Sequence, residues 1–152
     1  MFFQILVSFL LATPLFHWFK MKIFHNLEPP LTRDAGNPIS ITVLLPMRNE
    51  SINVERKIQE VISEIADYDN ANILVADSFS SDETIILAER TLSESHLDPN
   101  RWSVFSTRSP GKSHAINQAL NHINSDIVIM IDADTVLQDG WIGHFCHSFS
   151  NS

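Results

Sequence analysis

Residues Asp126–Asp134 read DIVIMIDAD: five apolar residues in unbroken succession, then an acidic triplet, Asp132-Ala133-Asp134. An apolar run of that length without alternation suits a strand buried on both faces, and such strands belong to parallel sheets sandwiched between helices. The polarity that ends the run carries as much information as the run itself. Open α/β sheets bind their ligands just beyond the carboxyl ends of the strands, so a strand that stops in two carboxylates marks a candidate site.

Working outward from this stretch, apolar periodicity alternates between two and three-to-four. Ala115, Ile116, Ala119, Leu120 and Ile123 share one face of a helix, and before them WSVFST (102–107) reads as a strand. Further upstream come a helix from Asp82 to about Leu92 and the strand NILVAD (72–77). A helix with Ile58, Val61, Ile62 and Ile65 on one side follows, and then the strand ISITVLLPM (39–47). Four strands alternating with three helices predict an α/β fold, a Rossmann-like doubly wound and mainly parallel sheet, with ITVLL and IVIMI both covered on each face.

Polar clusters follow three of the four strands: Pro46-Met47-Arg48-Asn49-Glu50, Asp77-Ser78-Phe79-Ser80-Ser81-Asp82 and Asp132-Ala133-Asp134. In an extended stretch Asp132 and Asp134 project to the same side while Ala133 points away, so both carboxylates can reach one hard cation, Mg²⁺ or Mn²⁺. Two carboxylates together with a diphosphate would supply much of an octahedron. Asp77 closes an apolar run, which places its carboxylate at the sheet edge, able to accept from a base imide or a ribose hydroxyl. Ser51 and Asp82 read equally as helix caps and as site residues. Lys112 opens a helix, where a cation opposes the helix dipole, so an anion is expected beside it. Arg108-Ser-Pro-Gly-Lys-Ser-His114 lacks the first glycine of a Walker loop, since position 106 is a serine, and an NTPase is disfavoured. His144, Cys146 and His147 have no second pair of ligands nearby to make a zinc site, and Asn49-Glu50-Ser51 matches a glycosylation acceptor by chance.

The chain has 152 residues and a formal net charge of −8, enough length for one domain and too little positive charge for a nucleic-acid backbone. Its single cysteine excludes an intramolecular disulfide framework. Phe2–Phe19 is almost wholly apolar and just long enough to span a bilayer; Lys20 and Lys22 follow, with no Lys or Arg before. Residues 1–22 are thus expected to be a membrane anchor with the domain on the cytoplasmic side. A helix packed on the domain and a cleaved signal peptide are the alternatives. Pro, Gly, Asn and charge mark 23–38 as a linker, and the folded domain occupies 39–152.

Taken in order, PMRNE, VADSFSSDET, GKSHAINQAL and IMIDADTVL resemble the family 2 glycosyltransferases of GT-A type, over roughly Ile39 to Trp141. In that family the second cluster usually reads Asp-Asp-Gly-Ser-Thr-Asp; here Ser78 and Phe79 stand in place of the second Asp and the Gly. The resemblance implies a nucleoside-diphosphate sugar as donor, with Pro46, Asn49 and Glu50 lining the nucleotide pocket and Asp77 at the base. It puts Lys112 by the base or phosphates, Asp132 on the ribose or metal, and Asp134 on Mg²⁺ or Mn²⁺. It further implies an inverting transfer to an acceptor, a glycan or lipid carrier. The base that deprotonates such an acceptor lies well downstream of the acidic triplet in the family, and the chain ends eighteen residues after Asp134. No candidate base is found, so the catalytic residue is unassigned and the domain reads as incomplete. The alternative is a non-catalytic nucleotide-sugar-binding fragment or subunit completed by a partner. Nucleotidyl transfer is disfavoured because no glycine-rich basic run follows the first strand.

Overall fold

The first strand, β1 (Ile41–Met47), is buried at every residue and hydrogen-bonded on both sides, as an apolar sequence with β-branched residues favours. A computed structural model of the chain describes residues 39–150, with side chains as far as Phe145. The expected anchor and linker, residues 1–38, lie outside the described residues. After β1 come α1 (Val54–Ile65), β2 (Ala71–Asp77), α2 (Thr84–Ser93) and a single 3₁₀ turn (Pro99–Arg101). They are followed by β3 (Trp102–Ser106), α3 (Lys112–Leu120), β4 (Ile127–Met130) and α4 (Trp141–Ser150). The four strands form one sheet in the order β3-β2-β1-β4, every pair parallel. Among the described residues no helix is long and apolar enough to cross a membrane.

Each face of the sheet has its own apolar cluster, which makes the fold doubly wound. Val43 and Leu45 of β1, Ile73 and Val75 of β2 and Ile129 of β4 pack with Val54, Ile58, Val61 and Ile65 of α1 and Ala88 and Leu92 of α2. On the other face Leu44, Leu74 and Ala76 meet Ala119 of α3, with Phe105, Ile116 and Ile123 alongside. The four α1 side chains are each fully buried, and burial on that scale contributes about 1.5–3 kcal/mol per side chain.

The second face is covered less than the sequence predicts. Val128 and Met130 of β4 are 38% and 54% exposed, and Leu120 of α3 is 44% exposed. The reason is geometric: α3 is short and lies over β1 and β2, while β4 is an edge strand with nothing described above one of its faces. An unbroken apolar run therefore did not mean two buried faces.

Pro46 shapes the sheet where the sequence turns polar. Ile127 N–H donates to Ser40 O (3.1 Å) and Ile131 N–H to Leu44 O (3.0 Å), so even-numbered residues of β1 face β4. In a parallel ladder the next donor on that side is the N–H of residue 46, and proline has none. Pairing with β4 ends at Leu44, whereas pairing with β2 continues to Met47↔Asp77. A crevice opens between β1 and β4, at the point where the strand order reverses.

Phe79 has a positive φ of 59°, a conformation that costs a non-glycine residue about 1–3 kcal/mol. It stands where the resembling family usually has glycine, and its side chain is 53% exposed, so little burial offsets the strain. Urea unfolding is expected to find Phe79→Gly more stable than Phe79→Ala by about 1 kcal/mol, because alanine keeps the strain and glycine relieves it. A glycine variant no more stable than the alanine variant would show that no strain is held there.

Candidate nucleotide site at the carboxyl ends of the strands

The crevice beside Pro46 is a cavity of about 180 Å³ lined by Pro46, Met47, Arg48, Glu50, Ser78, Lys112, Asp132, Ala133 and Asp134. Four segments far apart in sequence meet there: β1, β2 and β4 are adjacent and parallel and so deliver their carboxyl ends to one edge, and α3 brings Lys112 to it. A larger cavity of about 370 Å³ opens at the opposite, amino ends of the strands, among Thr42, Asn72, Asn100, His122 and Asn124. Asp and Glu, Lys and Arg are absent from its lining, and nothing in it converges on one point of charge. The smaller, charged crevice is the better candidate.

The acidic triplet is not extended. Thr135 N–H donates to Asp132 O (3.1 Å), closing a tight turn over residues 132–135. Ala133 points into the core, 3% exposed, as its small side chain allows, and the carboxylates of Asp132 and Asp134 are left on the cavity side. Lys112, the first residue of α3, donates from Nζ to Asp132 Oδ1 at 2.7 Å. Asp132 is thus the anion that offsets a cation at the start of a helix. Both side chains are about half exposed, 57% and 47%, so the pair is worth at most about 1 kcal/mol and is readily exchanged for another partner. Gly111, just before the helix, has φ 146° and donates its N–H to Ser78 Oγ (2.8 Å), tying α3 to the end of β2.

Asn49 and Asp77 do not line the cavity; they hold its wall together. Asp77 is fully buried. Its carboxylate accepts from Ser80 N–H (3.1 Å), from the Ser80 hydroxyl and from Ser106 Oγ (2.9 Å), so both oxygens are engaged within the chain. Asn49 takes a left-handed backbone (φ 54°), tolerated by asparagine more readily than by most residues. Its N–H donates to Ser80 Oγ (2.9 Å) and its side-chain oxygen accepts from Ser81 N–H (2.9 Å). The loops after β1 and β2 are joined by these bonds. Asp82 joins them again, accepting from Ser51 N–H (3.2 Å) and from Thr84 N–H (3.1 Å) and hydroxyl. It serves the first amide of α2, while Ser51 is a donor to Asp82 through its backbone. Glu50 N–H donates to Thr84 Oγ1 (2.8 Å), and its carboxylate accepts from Asn53 Nδ2 (2.9 Å).

Of the residues expected at the site, the cavity brings together Pro46, Glu50, Lys112, Asp132 and Asp134. Arg48 joins them and makes no ion pair with a carboxylate among the described residues; its place in the PMRNE cluster was its sequence signal. Among the described residues no three His, Cys, Asp or Glu side chains cluster closely enough to hold a metal ion. Two hard carboxylate oxygen donors facing a polar cavity nevertheless fit an oxygen-ligated divalent cation, provided that a bound ligand and water complete its shell.

The family model described as glycosyl transferase family 2 matches residues 42–151. Poly-beta-1,6-N-acetyl-D-glucosamine synthase of Staphylococcus aureus is 26% identical over 125 residues, 81% of this chain and 28% of that protein. Among solved structures, a mannosyltransferase from Pyrobaculum calidifontis in complex with GDP-Man and Mn²⁺ superposes with a TM-score of 0.62 at 27% identity, over 86% of this chain and 37% of the other. Glucosyl-3-phosphoglycerate synthase of Mycobacterium tuberculosis gives a TM-score of 0.53 at 27% identity, over 70% and 38%. The chain spans less than half the length of each of these proteins.

The Asp82 network carries a pH signature. Burial pushes the Asp82 carboxyl up, but the hydrogen bonds from Thr84 and Ser51 outweigh it and hold the group at about 2, below its ordinary 3.8. A depressed carboxyl stabilises the fold above its unfolded pKa and ceases to do so as pH falls through its folded one. Urea melts at a series of pH values should therefore show Asp82→Asn less stable than the parent at pH 7, the gap narrowing between about pH 4 and pH 2. A gap that stays constant over that range would refute the assignment.

Proposed function

The chain belongs to glycosyl transferase family 2, and from that premise we propose that its β1–β4 crevice binds a nucleoside-diphosphate sugar through a divalent metal and that the protein transfers the sugar, with inversion, to a glycan or lipid-carrier acceptor. The observation that carries this reading is the meeting of Asp132 and Asp134 with Lys112 and Arg48 around one cavity at the sheet's switch point. The Asp132 and Asp134 carboxylates facing the Lys112 and Arg48 cations across one crevice match a metal–diphosphate group, which presents a cation to the former and phosphate oxygens to the latter. The Mn²⁺ and GDP-Man of the Pyrobaculum mannosyltransferase complex support the same chemistry.

Asp134 and Asp132 would hold the metal, Mg²⁺ or Mn²⁺, with Asp132 also in reach of the ribose. The metal, when bound, neutralises charge that builds on the diphosphate as the sugar bond breaks. Lys112 gives up its exchangeable pair with Asp132 for a phosphate oxygen, and Arg48 offers a second cation, in no ion pair among the described residues. Pro46 keeps the crevice open, Glu50 flanks it, and Asn49 and Asp77 fix the loops that carry the nucleotide. With Asp132 and Asp134 as the two proposed protein ligands, metal and nucleotide are expected to bind together, each weakly alone.

Titration of the chain with UDP and with GDP, with and without Mn²⁺, tests this reading. Binding is expected to depend on Mn²⁺, and Asp134→Ala to weaken it by at least about 100-fold, since partners outside the ligand shell already account for about 10–100-fold. Binding that is absent, or independent of metal and unaltered in Asp134→Ala, would remove the proposal. The apolar stretch Phe2–Phe19 followed by Lys20 and Lys22 supports attachment to a membrane with the domain on the cytoplasmic side. Full-length chain is then expected in the membrane fraction of cells, and residues 39–152 in the supernatant; equal partition of the two would count against an anchor.

A further inference from the structure

Lys57 is a charged residue with no exposed surface. Lysine is almost never fully buried unless paired, and a buried ion pair is weak support for a fold, because an apolar side chain of similar volume often serves stability as well or better. The contacts of this ammonium explain its presence. Lys57 Nζ donates to Glu60 Oε2 (2.6 Å) on its own helix and to the backbone carbonyl of Thr135. Thr135 is the residue after Asp134, and its N–H is the donor that closes the turn on Asp132 O. Both backbone polar groups of Thr135 are thus held, one by the acidic turn itself and one by a charge beneath it.

Two neighbours on α1 grip the same segment. Arg56 Nη2 donates to Ala133 O (3.4 Å), and Glu64 Oε1 accepts from Gly140 N–H (2.7 Å). Arg56 is itself steadied by Glu60 Oε1 at 2.5 Å. The Lys57 ammonium beside Glu60 also holds that carboxyl below its ordinary range, despite partial burial and with help from Arg56, so Glu60 stays an anion between two cations. One helix, anchored in the core by Val54, Ile58, Val61 and Ile65, fixes the backbone of residues 133–140 at three points.

We infer that Lys57, with Arg56, is a positioning residue for the metal site: by holding the Thr135 and Ala133 carbonyls it sets where the Asp132 and Asp134 carboxylates stand. This inference rests on the proposed metal–nucleotide site and adds residues that touch neither ligand. A carboxylate pair must match a cation's geometry to bind it, and turn backbone with loose carbonyls would spread the pair over many arrangements, only a few of them competent. A charge-assisted bond from a rigid helix narrows that spread.

The experiment uses the full-length chain, Mn²⁺, UDP and GDP, and the variants Lys57→Met, Lys57→Arg and Arg56→Gln. In metal-free protein, amides of residues 132–140 should exchange with deuterium faster in Lys57→Met than in the parent, with β1 and β2 unchanged. With nucleotide saturating, Mn²⁺ affinity read by electron paramagnetic resonance should fall by about 10–100-fold in Lys57→Met, recover in part in Lys57→Arg, and fall about 3-fold in Arg56→Gln. Nucleotide affinity without metal should not change. A folded Lys57→Met with parental Mn²⁺ affinity overturns the inference, as does a parallel loss of metal-free nucleotide affinity. Should Lys57→Met not fold, Arg56 decides, its side chain being 45% exposed: unchanged Mn²⁺ affinity in Arg56→Gln overturns the inference. If the parent chain shows no Mn²⁺-dependent nucleotide binding, the proposed function fails, while metal-free exchange still reports whether Lys57 holds the turn.

Discussion

The two ladders of β1 end at different heights. On one side seven residue pairs join it to β2; on the other, four join it to β4 before the missing N–H of Pro46 ends the pairing. Backbone polar groups inside a protein must find partners, so a ladder that stops early leaves either a buried orphan or an opening. Here it leaves an opening. The crevice sits at that unequal pairing, between the turn of the acidic triplet beyond β4 and Lys112 reaching across from α3.

Around the crevice the polar interior is organised by acceptors rather than by bulk. Asp77, closed off from solvent, gathers donors from the loop after β2 and from β3, and Asn49 and Asp82 stitch that loop to the one after β1. On the far side of the opening α1 supplies the ties, with Lys57, Arg56 and Glu64 reaching the backbone after β4. Three loops that would otherwise be held only at their ends are fastened in the middle.

The alternation of strands and helices was legible because each element buries a regular apolar face, and that regularity is written in the spacing of Ile58, Val61 and Ile65 or of Ala115 and Ala119. What covers a strand is not written there, so the bare side of β4 at Val128 and Met130 was missed. Pro46, Glu50, Asp132 and Asp134 line one cavity because residues at a strand end in such a sheet have one edge to go to, and Lys112, a cation opening a helix, joins them there through its pair with Asp132. Asn49 and Asp77 follow the same rule of position, yet their polar atoms turn to Ser80, Ser81 and Ser106, a choice made by three-dimensional neighbours. Lys57 had a signal that charge concealed. It lies three residues after Val54 and four before Val61, squarely on the apolar stripe of α1, where a lysine demands a partner.

Fastened loops also change the thermodynamics of whatever enters the crevice. A pocket walled by free loops must freeze them on binding, which adds an entropic penalty and often a slow closing step. Here Asn49, Asp77 and Asp82 have already ordered the loops after β1 and β2, the freezing having been done during folding. Association at this edge is then governed by diffusion and by charge, and a change in affinity would be written mainly in how quickly the ligand leaves.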